Sequence, residues 1–137
     1  MVLCAAPSYL NRHGTPVKLE EIGAHALLAY GRGERVVSWR FNDQGRRHDV
    51  KPAGRLRFDD LEAIADAAAG AGGLAWLPSW LVAARLRSGE LVEVLPALRG
   101  PGFEIHAVWP LGRYLPMRVR AVIDALVRQV PAMLGHG

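Results

Sequence analysis

The side chains able to do covalent or metal chemistry are few, and their spacing does not suit it. His13, His25, His48, His106 and His136 are spread along the chain, and no two stand four residues apart. With Cys4 as the one cysteine, neither a zinc set nor an internal disulfide can be assembled. No cofactor is expected. Ser8, Ser38, Ser79 and Ser88 lie in cap, strand and turn contexts, and no Gly-x-Ser-x-Gly elbow is present. Cys4 sits in an apolar run, where a thiol is expected to be buried and inert. Asp59, Asp60 and Glu62 form an acidic cluster, but carboxylates are favoured at any helix start, so capping explains them first. With no nucleophile–base set, the chain does not read as an enzyme.

Glycine and charge patterns are equally ordinary. Tyr30-Gly31-Arg32-Gly33 follows a strand, but Val36 stands where a dinucleotide fingerprint needs its third glycine, and a strand follows where a helix should. Gly70, Gly72 and Gly73 come after a helix and before a strand, the wrong order for a phosphate cradle. The net charge is +4. Only Lys18 and Lys51 are lysines, and the arginines are scattered from Arg12 to Arg128, so no basic face is gathered for nucleic acid. The stretch from Leu74 to Ala84 is the longest apolar one and is too short to span a bilayer. Three residues ahead of Cys4 cannot supply a lipoprotein signal, so a cytoplasmic setting with no membrane partner is expected.

The elements that must position any site alternate between strand and helix. Residues 1–6 suit a buried strand, and Pro7 to Leu10 a helical turn with Ser8 as a plausible cap. Residues 26–30 read as a second strand. Val37, Trp39 and Phe41 alternate with polar neighbours, and a turn at residues 42–45 returns the chain through His48 to Val50. Leu56 and Phe58 alternate with Arg55 and Arg57. Asp59, with Glu62 three residues on, predicts a capped helix whose stripe is Leu61, Ile64, Ala65 and Ala68. Residues 74–77 read as a buried strand, Pro78-Ser79 opens a helix to Arg87, and residues 91–95 and 104–109 read as strands. Residues 96–102 form a Pro/Gly-rich break that could hinge. A last helix starts at Pro116 with an apolar stripe of Val119, Val122, Ile123, Leu126, Val127 and Val130, and Pro131 falls just past its end. Strands that follow helices are apolar throughout, which points to an α/β sheet covered on both faces.

Several segments in order resemble the C-terminal regulatory domain of the LysR-type transcriptional regulators. They are Cys4-Ala5-Ala6-Pro7-Ser8-Tyr9-Leu10 with Arg12-His13-Gly14-Thr15-Pro16, then Leu19, His25 and Trp39-Arg40-Phe41. After these come Gly54-Arg55-Leu56-Arg57-Phe58-Asp59-Asp60-Leu61, Gly73-Leu74-Ala75-Trp76-Leu77-Pro78, Gly89-Glu90-Leu91-Val92 and Leu115-Pro116. No single motif is specific, but their collinear order across nearly the whole chain is. Asp59 departs from the pattern, standing where Asn is usual.

The resemblance implies a type 2 periplasmic-binding-protein-like α/β fold in which two subdomains close on a small-molecule effector, an organic acid being one class. Residues 7–95 would form the second subdomain. Residues 1–6 and 103–131 would supply crossover strands and the C-terminal helix of the first, with the two crossover strands side by side. The family's DNA-binding helix-turn-helix and the rest of the first subdomain have no counterpart in these residues, so DNA would be reached only through an absent N-terminal domain. Homo-oligomers are also implied.

Ligands in such sheets settle beyond the carboxyl ends of strands, where helix N-termini present amide donors. By that logic Tyr30, Phe58, Asp59, Trp76 and Pro78 line this half of the cleft, although Phe58 and Trp76 could equally be core. Trp80 and Trp109 are expected in core or interface. Two alternatives remain open. One is a small DNA-binding helix-turn-helix protein built on residues 61–69 and 79–87, which the intervening apolar strand opposes. The other is a fragment of a solute-binding protein.

Overall fold

In a computed structural model, the structure describes residues 1–101, 106, 108 and 116–133, with the side chains of residues 132 and 133 excepted. The chain divides into two compact units, Met1–Gly102 and Phe103–Gly137. The division falls at the end of the Pro/Gly-rich break. The expected strand at residues 104–109 lies outside the described residues, and so does its pairing with the first strand.

In the first unit β1 (Val2–Ala5), β2 (Leu27–Arg32), β3 (Arg35–Val36), β6 (Arg57–Phe58), β7 (Leu74–Leu77) and β8 (Val92–Val94) form one mixed sheet. Its order is β3-β2-β7-β1-β8, with β6 also paired to β2. β2 runs parallel to β7 and β6, whereas β1 is antiparallel to both neighbours, β7 and β8. A separate two-stranded ribbon joins β4 (Trp39–Asp43) to β5 (Arg46–Val50). Its turn puts Gln44 and Gly45 at φ 48° and 83°, the two positive angles that match a tight hairpin to strand twist.

Period-two alternation splits the core in two. Leu3, Ala5, Leu27, Leu74, Trp76 and Val94 pack beneath α1 (Pro7–His13), a 3-10 helix (Leu19–Ala24) and the ribbon, through Tyr9, Leu10, Ile22, Trp39 and Phe41. Val2, Cys4, Leu28, Ala75 and Leu77 face the other way, onto Ile64, Ala65 and Ala68 of α2 (Leu61–Ala69) and Val82 of α3 (Ser79–Ser88). Both faces are covered, as the apolar strands require. Arg85 of α3 pairs with Asp66 of α2, with Glu62 and Glu90 each at 4.0 Å, and ties the two helices outside the core.

Local details depart from the sequence reading. Ser8 caps nothing: Ala6 is the N-cap of α1 and Pro7 opens the helix, its fixed φ suiting the first turn. Asp60, not Asp59, caps α2, its carboxylate accepting from the Ala63 amide at 2.8 Å. Glu62 is therefore one position early for a reciprocal box. β2 continues through Gly31 to Arg32 and turns back into β3, which the sequence did not suggest. Gly31 permits that close pairing, because a Cβ there would sit 2.2 Å from the Arg35 carbonyl oxygen. Val37 lies off the strand and is exposed, and the strand expected around Leu56 shrinks to two residues. The helix-turn-helix reading fails, because β7 separates α2 from α3 and is buried within the sheet.

In the second unit α4 spans Met117–Met133 and includes Pro131, placed beyond the helix by the sequence reading. Along its stripe Val122, Leu126 and Val127 are exposed, while Val119, Ile123 and Val130 are half-buried. Among the described residues no helix is long and apolar enough to cross a membrane.

Candidate functional site

Parallel strands end together, and that sets the site. Tyr30 of β2 stands in register with Phe58 of β6, and Leu27 and Leu28 with Leu74 and Ala75 of β7. The carboxyl ends of β2, β6 and β7 thus share one edge of the sheet. α2 starts directly after β6 and α3 directly after β7, so both helices turn their amino ends towards that edge.

Tyr30 and Phe58 are half-buried and pack against the α2–α3 side of the core. Asp59 is exposed and free of capping duty. Beside them an open groove of about 560 Å³ is lined by Gly31, Arg32, Gly33, Arg57, Phe58 and Asp59. Arg57 donates from Nη1 to the Gly33 carbonyl at 2.7 Å, which pins the β2–β3 turn to the groove wall. The two arginines are the site residues the sequence reading missed. Their signal was present, since Arg32 and Arg57 flank Tyr30 and Phe58 at the strand ends.

Trp76 and Pro78 sit differently. Trp76 is 7% exposed and faces the ribbon side, its ring 4.3 Å from that of Phe41. The Pro78 side chain is fully buried. Pro78 nevertheless occupies the N-cap of α3, where no side chain caps the first turn and its carbonyl accepts from the Leu81 amide at 3.1 Å. Trp80, in that first turn, is 47% exposed and so is not core.

Cys4 is fully buried, its thiol 3.8 Å from the Ala75 carbonyl, and burial with the nearby Glu93 charge pushes its pKa up to about 12. Among the described residues no group of three acids, histidines or cysteines could hold a metal ion. The arrangement is suited to reversible binding: a shaped wall, two guanidinium groups and amides at a helix start.

Comparison with known proteins agrees with this geometry. The family model described as the LysR substrate binding domain matches residues 1–131. The probable HTH-type transcriptional regulator LtrA of Klebsiella pneumoniae is 30% identical over 135 residues, spanning 96% of this chain and 44% of that protein. The HTH-type transcriptional regulator PtxR of Pseudomonas aeruginosa is 33% identical over 125 residues, spanning 91% of this chain and 40% of that protein. The chain thus covers less than half the length of these relatives. Among solved structures, the regulatory domain of AphB in Vibrio vulnificus superposes with a TM-score of 0.75 at 25% identity, over 93% of this chain and 63% of that one. The regulatory domain of CrgA from Neisseria meningitidis, at 24% identity and the same TM-score of 0.75, shares the fold. These relatives are transcriptional regulators, not enzymes, and their fold is the α/β type expected of periplasmic-binding-protein-like modules. A family match that covers all but the last six residues, joined to a sheet whose parallel strands end at one open edge, places this chain in the LysR substrate binding domain family.

Proposed function

We propose that the chain is the effector-sensing module of a LysR-type regulator, and that a small molecule seats at the shared carboxyl edge of β2, β6 and β7. The observation that carries this reading is the convergence of three parallel strand ends with two helix amino ends. Tyr30, Phe58 and Asp59 form the accessible wall. Trp76 and Pro78 act from behind it, Trp76 as packing and Pro78 by setting the uncapped first turn of α3. Arg32 and Arg57 favour an effector that carries negative charge, such as an organic acid. The whole regulator would reach DNA through a helix-turn-helix, as its relatives' names imply, carried on an N-terminal domain, and would work as a homo-oligomer in the cytoplasm.

Nuclear magnetic resonance spectra of the labelled chain, titrated with a panel of small organic acids, test the site. Saturable shifts should gather on the amides of Tyr30, Phe58, Asp59 and Ser79, and Tyr30→Ala should weaken them. A panel whose binders all shift other residues would overturn the reading.

A further inference from the structure

The opposite edge of the sheet holds a second opening. Where β2 and β7 begin, a half-open cavity of about 440 Å³ is lined by His25, Ala26, Leu27, Leu28, Ala53, Gly54, Arg55, Leu56 and Gly72. That volume falls within the range of ordinary small-molecule sites. We propose that this cavity is a second ligand site, built for a small carboxylate with an apolar tail.

The lining chooses the ligand. Its only titratable groups are Arg55, a fixed cation, and His25, which can become one, and no acid lines it. Arg55 makes no hydrogen bond or ion pair among the described residues, so its guanidinium is available to a bidentate anion. The remaining walls are aliphatic or bare backbone, and Leu56 is 48% exposed there, an apolar surface for the tail. Gly54 brings the far wall close: a Cβ on it would lie 1.8 Å from the Leu27 carbonyl oxygen, so only glycine lets this segment lie along β2.

His25 is anchored through Tyr9. The Tyr9 hydroxyl accepts from the Ala26 amide at 2.9 Å and shares a hydrogen bond with His25 Nδ1 at 3.2 Å. The groups around the imidazole are Tyr9 and His13 of α1, Glu21 of the 3-10 helix and Arg55 of the cavity. Burial, then His13, hold the ring below its ordinary pKa, with Glu21 opposing them. A carboxylate in the cavity would draw it back up.

The test uses the full 137-residue chain and butyrate as the probe, with 1-butanol and inorganic phosphate as controls. Butyrate should give saturable shifts on the Ala26, Gly54 and Gly72 amides, and His25 should titrate at higher pH when the site is filled. Arg55→Ala, a change at an exposed residue, should weaken binding by about tenfold, the loss expected for one charge-assisted contact. His25→Gln should retain binding but abolish its pH dependence. The proposal is overturned by shifts that do not saturate, by an equal response to butanol, or by affinity untouched in Arg55→Ala. Shifts confined to Tyr30, Phe58 and Ser79 would also overturn it, while leaving the effector site standing.

Discussion

The Gly100 amide donates to the Met1 carbonyl at 3.2 Å. The start of β1 and the segment that follows β8 are therefore neighbours, at the same sheet edge where β2, β6 and β7 end. Gly100 is tightly enclosed. A Cβ there would meet Trp76 Cζ2 at 2.5 Å, the Arg40 carbonyl at 2.9 Å and Met1 Cβ at 3.0 Å. Backbone on one side and an indole on the other leave little room to yield. Gly100→Ala should cost about 1–3 kcal/mol and shift the tryptophan emission, as read by urea unfolding followed by fluorescence. A neutral substitution would show that the segment moves aside freely.

Capping at α2 separates two adjacent acids. Asp60→Ala removes the acceptor for the Ala63 amide and should cost about 1 kcal/mol. Asp59→Ala should stay within about 0.5 kcal/mol. Parallel urea titrations compare them, and equal losses would mean that both carboxylates serve the helix.

The burial of His25 beside His13 predicts a pH dependence of stability. His25 titrates lower in the folded chain than the ordinary 6.5, so the unfolded chain binds its proton more readily. The stability from this group is complete above pH 6.5 and is lost as pH falls towards the folded value. Thermal melts from pH 7.5 to 5 should show that loss, and His25→Gln should flatten it. Tyr9→Phe should cost about 1 kcal/mol at every pH by leaving the Ala26 amide without its acceptor.

Cys4 should resist alkylation. At pH 8 a thiol with a pKa of about 12 is ionised to roughly one part in ten thousand, and the sulfur has no exposure. Iodoacetamide followed by mass spectrometry should find the folded chain unmodified and the urea-unfolded chain modified. Rapid labelling without denaturant would contradict the packing.

The stripe on α4 should drive self-association. Val122, Leu126 and Val127 are exposed, and each would contribute about 1.5–3 kcal/mol on full burial. Sedimentation at micromolar concentration should show a dimer or larger species that Val122→Glu with Val127→Glu reduces to 14.9 kDa. A monomeric parent chain would remove this element of the functional reading.

The sequence disclosed what periodicity and turn chemistry control. The apolar runs at β1 and β7 and the stripe of α2 follow from side-chain spacing, and all are present. Pairings between distant segments were less legible. Nothing local announces that β1 runs antiparallel between β7 and β8, that Arg57 reaches the Gly33 carbonyl, or that Tyr9 spans to Ala26. The choice between Asp59 and Asp60 turned on one residue of helix register, which propensity does not resolve. For the candidate site, the strand end at Phe58 was readable, whereas β2 runs two residues past Tyr30. Which face each aromatic would take depended on sheet order, and that put Trp76 on the ribbon side.

β1 also bears on how the unit assembles. Val2 pairs with Leu77, and Leu3 with Val94, so β1 waits for partners made nearly a whole unit later. Its apolar residues remain unsatisfied through synthesis of α1, the ribbon and α2. Closing so long a loop carries a large entropic cost before any contact offsets it, so the sheet folds slowly and late. Until then β7 has an open edge and β8 has no partner strand, the condition in which strands of neighbouring molecules exchange or aggregate.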